Sequence, residues 1–113
     1  MNKLIDMHCD TMLEAWRKNK PLKDIDLSIN LDLLKDNNCL AQFFAIFMSP
    51  IEQKYMTAWE LFEKVHSYYE EQLKNFENIV APVLCKVDIE QNSKAGKISS
   101  MLTIEDGVLL EGD

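Results

Sequence analysis

The chain has 113 residues, a hydrophobic content of 47% and a formal net charge of −7. This length suits one modest domain, and the apolar content without Pro-, Gly- or Ser-rich repeats excludes a disordered chain. The acidic balance argues against nucleic acid as a partner, because phosphate binding needs a concentrated basic surface. No apolar run of about 18 residues is present, which predicts no membrane span. The first residues lack a signal-peptide pattern, so we expect a cytoplasmic location.

The first elements are predicted to be a strand and a helix. Residues 3–9 alternate in the manner of a short strand. Thr11 and Glu14 then have the spacing of a capping box, which predicts that Thr11 is the N-cap of a helix that ends before Pro21. A loop follows, and residues 31–35 read as a short helix.

The middle of the chain combines an apolar run with an amphipathic helix. "CLAQFFAIFM", residues 39–48, is typical of a strand buried on both faces of a parallel sheet. From about residue 54 to residue 76, apolar residues recur at intervals of three and four, which predicts a helix. His66 lies at the edge of this apolar stripe, and we interpret it as structural or solvated.

The last third adds two strands and a helix. Residues 79–87 and 98–106 are predicted strands. Between them, Asp88 is positioned to cap a short helix over residues 89–94. The regular alternation of strands and helices predicts an α/β protein with a parallel sheet.

The three cysteines indicate reduced thiols. Cys9, Cys39 and Cys85 are odd in number, widely spaced, and each embedded in an apolar run. A zinc ribbon needs paired spacings, and a disulfide framework needs an even count in a secreted chain. We therefore expect three buried, unpaired cysteines.

Ionisable residues alternate with apolar ones along the first strand, the ionisable ones being Asp6, His8 and Asp10. Simple alternation places them on one charged face. Glu105 arrives at the end of the fourth strand, and the carboxyl ends of parallel strands share one rim. We therefore predict that His8, Asp10 and Glu105 converge, as an imidazole and two carboxylates that suit a divalent ion such as zinc. The alternative is a salt-linked polar cluster or a solvated strand end.

Three segments of the sequence resemble a known family. "IDMHCDT" is similar to the opening motif of the renal (membrane) dipeptidase family, in the metal-dependent amidohydrolase superfamily. Other members of that superfamily commonly open with H-x-H, so Asp10 in the second ligand position favours this family. "LAQFFAIFM" and "MLTIEDGVLLEGD" resemble its second strand and the segment around its bridging glutamate. The chain has Asp106 where the family usually has the first glycine of Glu-Gly-Gly.

The resemblance implies a fold and an activity. Family members are (β/α)₈ TIM-type barrels with parallel strands and two zinc ions, and they hydrolyse the peptide bond of dipeptides. By this resemblance His8 and Asp10 would bind the first zinc, and Glu105 would bridge both. The second zinc would need two histidines from later strands, and no histidine follows Glu105 here. No catalytic residue beyond the metal ligands is expected within this chain.

The length adds an expectation about completeness. A barrel of this kind takes roughly 250 residues. Residues 1–113 would then form a single partial domain, the first three to four β/α units, which alone lacks activity. Open sheet edges beside the first and last strands would favour a homo-oligomer. Two alternatives stay open: a superfamily hydrolase acting on a phosphoester or cyclic amide, and a non-catalytic fragment that binds a metal or a partner chain.

Overall fold

The computed structural model describes residues 4–46 and 52–104 of the chain. In these ranges four strands form one parallel sheet: β1 (Leu4–Cys9), β2 (Cys39–Ile46), β3 (Val80–Pro82) and β4 (Ile98–Ile104). The predicted α/β class with parallel strands is confirmed. The predicted extensions of the second strand to residue 48 and of the fourth to residue 106 lie outside the described residues.

Four helices accompany the described strands: α1 (Thr11–Lys18), α2 (Leu31–Asp36), α3 (Ala58–Asn75) and α4 (Lys86–Lys94). A 3₁₀ turn over Glu52–Lys54 precedes α3. The described helices include none that is long and apolar enough to cross a membrane.

The start of α1 differs from the prediction. The helix begins at Thr11 with Asp10 as its N-cap, and no side chain makes a capping hydrogen bond there. Glu14, expected to complete a capping box, instead accepts hydrogen bonds from the backbone N–H of Ser28 at 3.2 Å and from Lys18 Nζ at 3.0 Å. The carboxylate therefore fastens the loop before α2 onto α1.

The longest helix begins later than predicted, at Ala58 rather than near residue 54. The capping box lies here: the Thr57 hydroxyl accepts from the Glu60 backbone N–H at 3.1 Å, and the Glu60 carboxylate accepts from the Thr57 N–H at 3.5 Å. This reciprocal pair satisfies two backbone donors and fixes the helix start.

The third predicted strand is mostly not a strand. Pairing stops at Pro82, and α4 begins at Lys86 rather than at residue 89. Asp88 lies in the first turn, where its carboxylate accepts from the backbone N–H groups of Leu84 and Cys85 at 2.9 and 3.2 Å. These bonds favour helix over strand in this segment, because they satisfy donors that a sheet ladder would otherwise need.

The order of the strands in the sheet is β1-β2-β4-β3. The chain therefore advances across the sheet from β1 to β3 and then reverses to reach β4. The Tyr69 hydroxyl of α3 lies 2.6 Å from Ser100 Oγ, whereas Asn92 of α4 donates to Ser99 Oγ at 3.1 Å. Adjacent residues of a strand point to opposite faces, so α3 and α4 cover opposite faces of β4. Right-handed crossovers require this when the direction reverses.

The open edges of the described sheet are β1 and β3. The expectation of an edge beside the last strand is wrong, because β4 lies between β2 and β3. However, β3 pairs only with residues 98–100 of β4. Residues 101–104 therefore have a strand neighbour on the β2 side alone, within the part of the chain that the structure describes.

The core lies between the sheet and the helices α1, α2 and α3. Phe44, 1% exposed, is at its centre and makes an edge-to-face contact with Tyr69, with ring centroids 6.1 Å apart. Each of these helices, the loop after α1, and strands β2 and β3 contribute further large apolar side chains that are fully buried. These are Met12, Leu22, Leu31, Ile46, Leu61, Val65 and Val80. This core fixes α1 and α3 against the carboxyl half of β2.

Candidate metal centre

The strand that carries the predicted ligands is irregular. Asp6 pairs with Gln42 and Cys9 with Phe44, so three steps along β1 match two steps along β2. Since β2 pairs with β4 without interruption over residues 41–46, the extra residue belongs to β1. Simple alternation, which would put Asp6 and Cys9 on opposite faces of β1, therefore fails between these two residues.

The side chain of Asp6 contacts the middle of the sheet. Gln42 Nε2 donates to Asp6 Oδ2 at 2.9 Å and to the carbonyl oxygen of Phe43 at 3.1 Å. Gln42 is completely buried, and its Oε1 has no hydrogen-bond partner among the described residues. Gln42 and Phe44 share the face of β2 that α3 covers. The Gln42 amide and Asp6 therefore lie on the α3 side of the sheet.

The two predicted ligands near the end of β1 are adjacent to the carboxyl edge. His8 belongs to β1, and its side chain lies outside what the structure describes. Asp10 directly follows the strand, is exposed, and leaves the N-terminus of α1 without a side-chain cap. Its position at the carboxyl end of an edge strand is the one predicted for a metal ligand.

The third predicted ligand, Glu105, lies outside the described residues. It follows Ile104 in the sequence, and Ile104 pairs with Ile46 at the carboxyl end of β2. Within residues 4–46 and 52–104, no group of three His, Cys, Asp or Glu residues is arranged to hold a metal ion. The predicted set needs the His8 imidazole and Glu105, so it stays a prediction. Its donor chemistry, one imidazole and two carboxylates, fits zinc.

A cleft of about 470 Å³ lies beside Asp10. It runs between α1 and the loop before α2, and its lining residues are Cys9, Asp10, Thr11, Leu13, Glu14, Arg17, Lys18, Ser28 and Ile29. Arg17 donates from Nε to the Glu52 carboxylate at 3.0 Å, with a second contact from its terminal nitrogen. Glu52 is 4% exposed, so this pair fixes the segment after β2 against α1.

Two of the three cysteines behave as predicted. Cys9 and Cys39 are buried and unpaired, whereas Cys85 is exposed at the N-cap of α4, which corrects the expectation that all three are buried. Burial raises the pKa of the Cys9 thiol to about 11 and also raises that of Cys39. The thiol of Cys9, which directly precedes Asp10, therefore stays protonated at neutral pH when no metal is bound.

His66 occupies a structural position, as its place at the helix edge indicated. Its Nδ1 lies 3.0 Å from Glu70 Oε1 one turn further along α3, and its ring stacks on Phe62 with centroids 5.4 Å apart. It lies within α3.

The fold is shared with a known metal-dependent enzyme. The chain superposes on a solved metallo peptidase from Rhodobacter sphaeroides, liganded with a phosphinate mimic of the dipeptide L-Ala-D-Ala, with a TM-score of 0.78. The sequence identity is 15%, and the match covers 95% of this chain but 39% of that one. The α/β architecture is thus shared with that metallopeptidase structure, and the chain spans about two fifths of its length. A comparison with curated proteins gave no match.

The family assignment is more specific. Residues 1–113 match the family model of membrane dipeptidase, peptidase family M19. The chain therefore belongs to the membrane dipeptidase family, a family of peptidases, as the resemblance of its three motifs predicted.

Reading the sequence alone missed Gln42 and the pairing of Arg17 with Glu52. Gln42 is the only polar residue in the stretch from Leu40 to Met48, and that isolation was a usable signal. A buried amide in an apolar strand needs a partner, although the sequence does not say which one. Arg17 and Glu52 are separated by 35 positions and carry no local pattern.

Proposed function

We propose that this chain is the N-terminal part of a zinc-dependent dipeptidase and carries the first half of a two-metal site. His8 and Asp10 would hold the first zinc, and Glu105 would supply a carboxylate ligand to both ions. The observation that carries the proposal is the family match over the whole chain, which includes the motif from Ile5 to Thr11. The dipeptide mimic bound to the structural neighbour supports a dipeptide as the substrate.

The placement of β1, β2 and β4 supports this proposal. They are consecutive neighbours in the sheet, as the first strands of a barrel are, and β3 is a short addition at the edge of β4. The carboxyl ends of parallel strands form the face where barrel enzymes collect their catalytic groups. Asp10 lies at that end of β1, and Glu105 is the next residue in the sequence after Ile104, the last residue of β4.

The residues of this chain contribute ligands and their protonation states. When bound, zinc ions make a water acidic at neutral pH and polarise the substrate carbonyl. His8 must be neutral, and Asp10 and Glu105 ionised, for the site to bind metal. Protons compete for all three groups, so metal binding weakens as the pH falls.

The test is zinc titration of the 113-residue chain by calorimetry, with His8→Ala and a control variant, His66→Ala. The two histidines are the only ones in the sequence, and His66 is already paired with Glu70. We expect zinc binding by the parent chain and by His66→Ala, and loss of about 10-fold or more in affinity in His8→Ala. Identical zinc uptake by all three proteins contradicts the assignment.

A further inference from the structure

We propose that Gln42 is a positioning residue for the metal ligands of β1. Its side-chain amide holds Asp6 and thereby fixes the irregular stretch of backbone that carries His8. The inference rests on the metal site of the proposed function, and it adds a residue from β2 that is not itself a ligand.

In its contact with Asp6, the side-chain amide of Gln42 is the hydrogen-bond donor. Gln42 Nε2 donates to Asp6 Oδ2 at 2.9 Å and to the carbonyl oxygen of Phe43 at 3.1 Å. The second bond, to the neighbouring residue of its own strand, orients the amide nitrogen toward β1. Gln42 has no solvent exposure, so water does not compete for this donor.

Stability alone does not account for an amide at this position. Gln42 Oε1 is buried and has no hydrogen-bond partner among the residues that the structure describes. An unpaired buried acceptor opposes folding, and an apolar side chain of similar size would fill the space without that effect. What an apolar residue cannot supply is a directional donor to Asp6.

Asp6 matters because β1 is irregular beyond it. The register changes between Asp6 and Cys9, so Met7 and His8 lie between two fixed points. The first is the bond from Gln42 to Asp6, and the second is Cys9, which is 7% exposed and pairs with Phe44. Among residues 4–46 and 52–104, β1 has a strand neighbour on one side only, and a slip of one residue reverses the faces of its side chains. Asp6 also pairs with Gln42 in the strand ladder, so loss of the side-chain bond weakens the first fixed point without abolishing it, and the backbone of His8 becomes freer to move.

The first experiment compares two buried glutamines. Gln42→Met keeps the length of the side chain and removes its donor, and Gln72→Met does the same in α3. Gln72 is 4% exposed and its Oε1 accepts from the backbone N–H of Leu22 at 2.9 Å, so it is a matched structural control. We expect Gln42→Met to weaken zinc binding about 10-fold or more, in the range seen for residues that orient metal ligands, and Gln72→Met to leave it unchanged.

The second experiment uses Asp6 and a spectroscopic readout. We expect Asp6→Ala to weaken zinc binding, and the further addition of Gln42→Met to cause no additional loss, because the two residues act through one hydrogen bond. Asp6→Asn keeps an oxygen that accepts from Gln42, so it retains the visible absorption of bound Co²⁺, which Asp6→Ala alters. If Asp6 only stabilised the fold, Asp6→Ala would lower the free energy of unfolding and leave the absorption of bound Co²⁺ unchanged.

The outcomes separate the inference from the proposed function. Equal zinc affinity in Gln42→Met and Gln72→Met overturns the role of Gln42. If Gln42→Met does not fold, the Asp6 variants decide: equal Co²⁺ absorption in Asp6→Asn and Asp6→Ala also overturns that role. If His8→Ala loses zinc while Gln42→Met binds as the parent does, only the present inference fails. If the parent chain binds no zinc, or His8→Ala binds as the parent does, the proposed metal site fails and the inference with it.

Discussion

Asp88 stabilises the start of α4 by accepting hydrogen bonds from two backbone N–H groups, those of Leu84 and Cys85. These bonds lower the pKa of the Asp88 carboxyl, the larger effect coming from Leu84. A carboxyl whose pKa is lower in the folded state stabilises the fold above its unfolded pKa, and the effect is lost as the pH falls through the folded value. The start of α4 is therefore sensitive to acid through a single side chain.

Hydrogen exchange of the backbone amides at this turn reports on the bonds to Asp88. Asp88→Ala is expected to speed exchange of the Leu84 and Cys85 amides at neutral pH, because it removes their acceptor. In the parent chain the same amides should lose protection as the pH is lowered below about 4, where an unperturbed aspartate protonates. Asp88→Asn, which keeps an oxygen acceptor, is the control. Unchanged exchange in Asp88→Ala would show that these bonds do not hold the turn.

Helix α3 and strand β4 are joined by a buried pair of hydroxyls. The oxygens of Tyr69 and Ser100 are 2.6 Å apart, and the two residues are 6% and 1% exposed. Burial raises the pKa of Tyr69, so the phenol stays protonated and available as a donor at neutral pH. This contact sets the position of α3 on the face of the sheet that also carries Phe44.

Removing one member of this pair should cost more than removing both. Tyr69→Phe leaves the Ser100 hydroxyl buried without its partner, at a cost of about 1–3 kcal/mol in the free energy of unfolding. The double variant Tyr69→Phe, Ser100→Ala removes both polar atoms and should recover part of that loss. Urea denaturation of the single and double variants measures this. Additive losses in the double variant would mean that the two hydroxyls do not interact.

For the chain as a whole, the two open edges of the sheet have consequences. β1 has a strand neighbour on one side only among the described residues, and its Leu4 and Ile5 are 46% and 50% exposed. Unpaired strand edges with apolar side chains favour pairing with another chain. Each Å² of apolar surface covered contributes roughly 25 cal/mol, so several hundred Å² is comparable to the stability of a domain.

We therefore predict that the 113-residue chain is a dimer or larger oligomer at micromolar concentration, as measured by light scattering. Ile5→Lys places a charge on the β1 edge and should shift the chain toward monomer. Ile25→Lys is the matched control, because Ile25 is 87% exposed and belongs to the loop between α1 and α2, not to a strand. A monomeric parent chain, or equal effects of the two lysines, would contradict an interface at β1.

The number of histidines bears on whether this chain alone could hold two metal ions. By the family resemblance, the second zinc needs two histidines beyond Glu105, and this sequence contains only His8 and His66. His66 is on α3 and bonded to Glu70. We expect no zinc-dependent cleavage of a simple dipeptide by the purified 113-residue chain. Measurable turnover, lost on chelation, would show that the chain assembles a complete site by other means.

Local patterns in the sequence were sufficient to predict the fold class, the family and the position of Asp10. The alternation of apolar runs and amphipathic segments predicted the α/β class, since burial of a strand or helix face leaves its period in the sequence. The motif from Ile5 to Thr11 indicated the family, and Asp10 lies at the carboxyl end of β1 as predicted. The predicted ends of segments were less accurate. Asp88 accepts a hydrogen bond at the start of α4, where a strand was predicted, and Thr57 caps α3 later than the predicted start near residue 54.

The order of the strands and the register of β1 depended on contacts far apart in the chain. The placement of β4 between β2 and β3 follows from strand pairing, for which neighbouring residues carry no pattern. Likewise, the extra residue between Asp6 and Cys9 exists only relative to β2, and the partner of Gln42 lies 36 positions away. Hydrophobic periodicity records which face of a segment is buried, whereas register and strand order record which segments meet, and that depends on the free energy of the whole packed sheet.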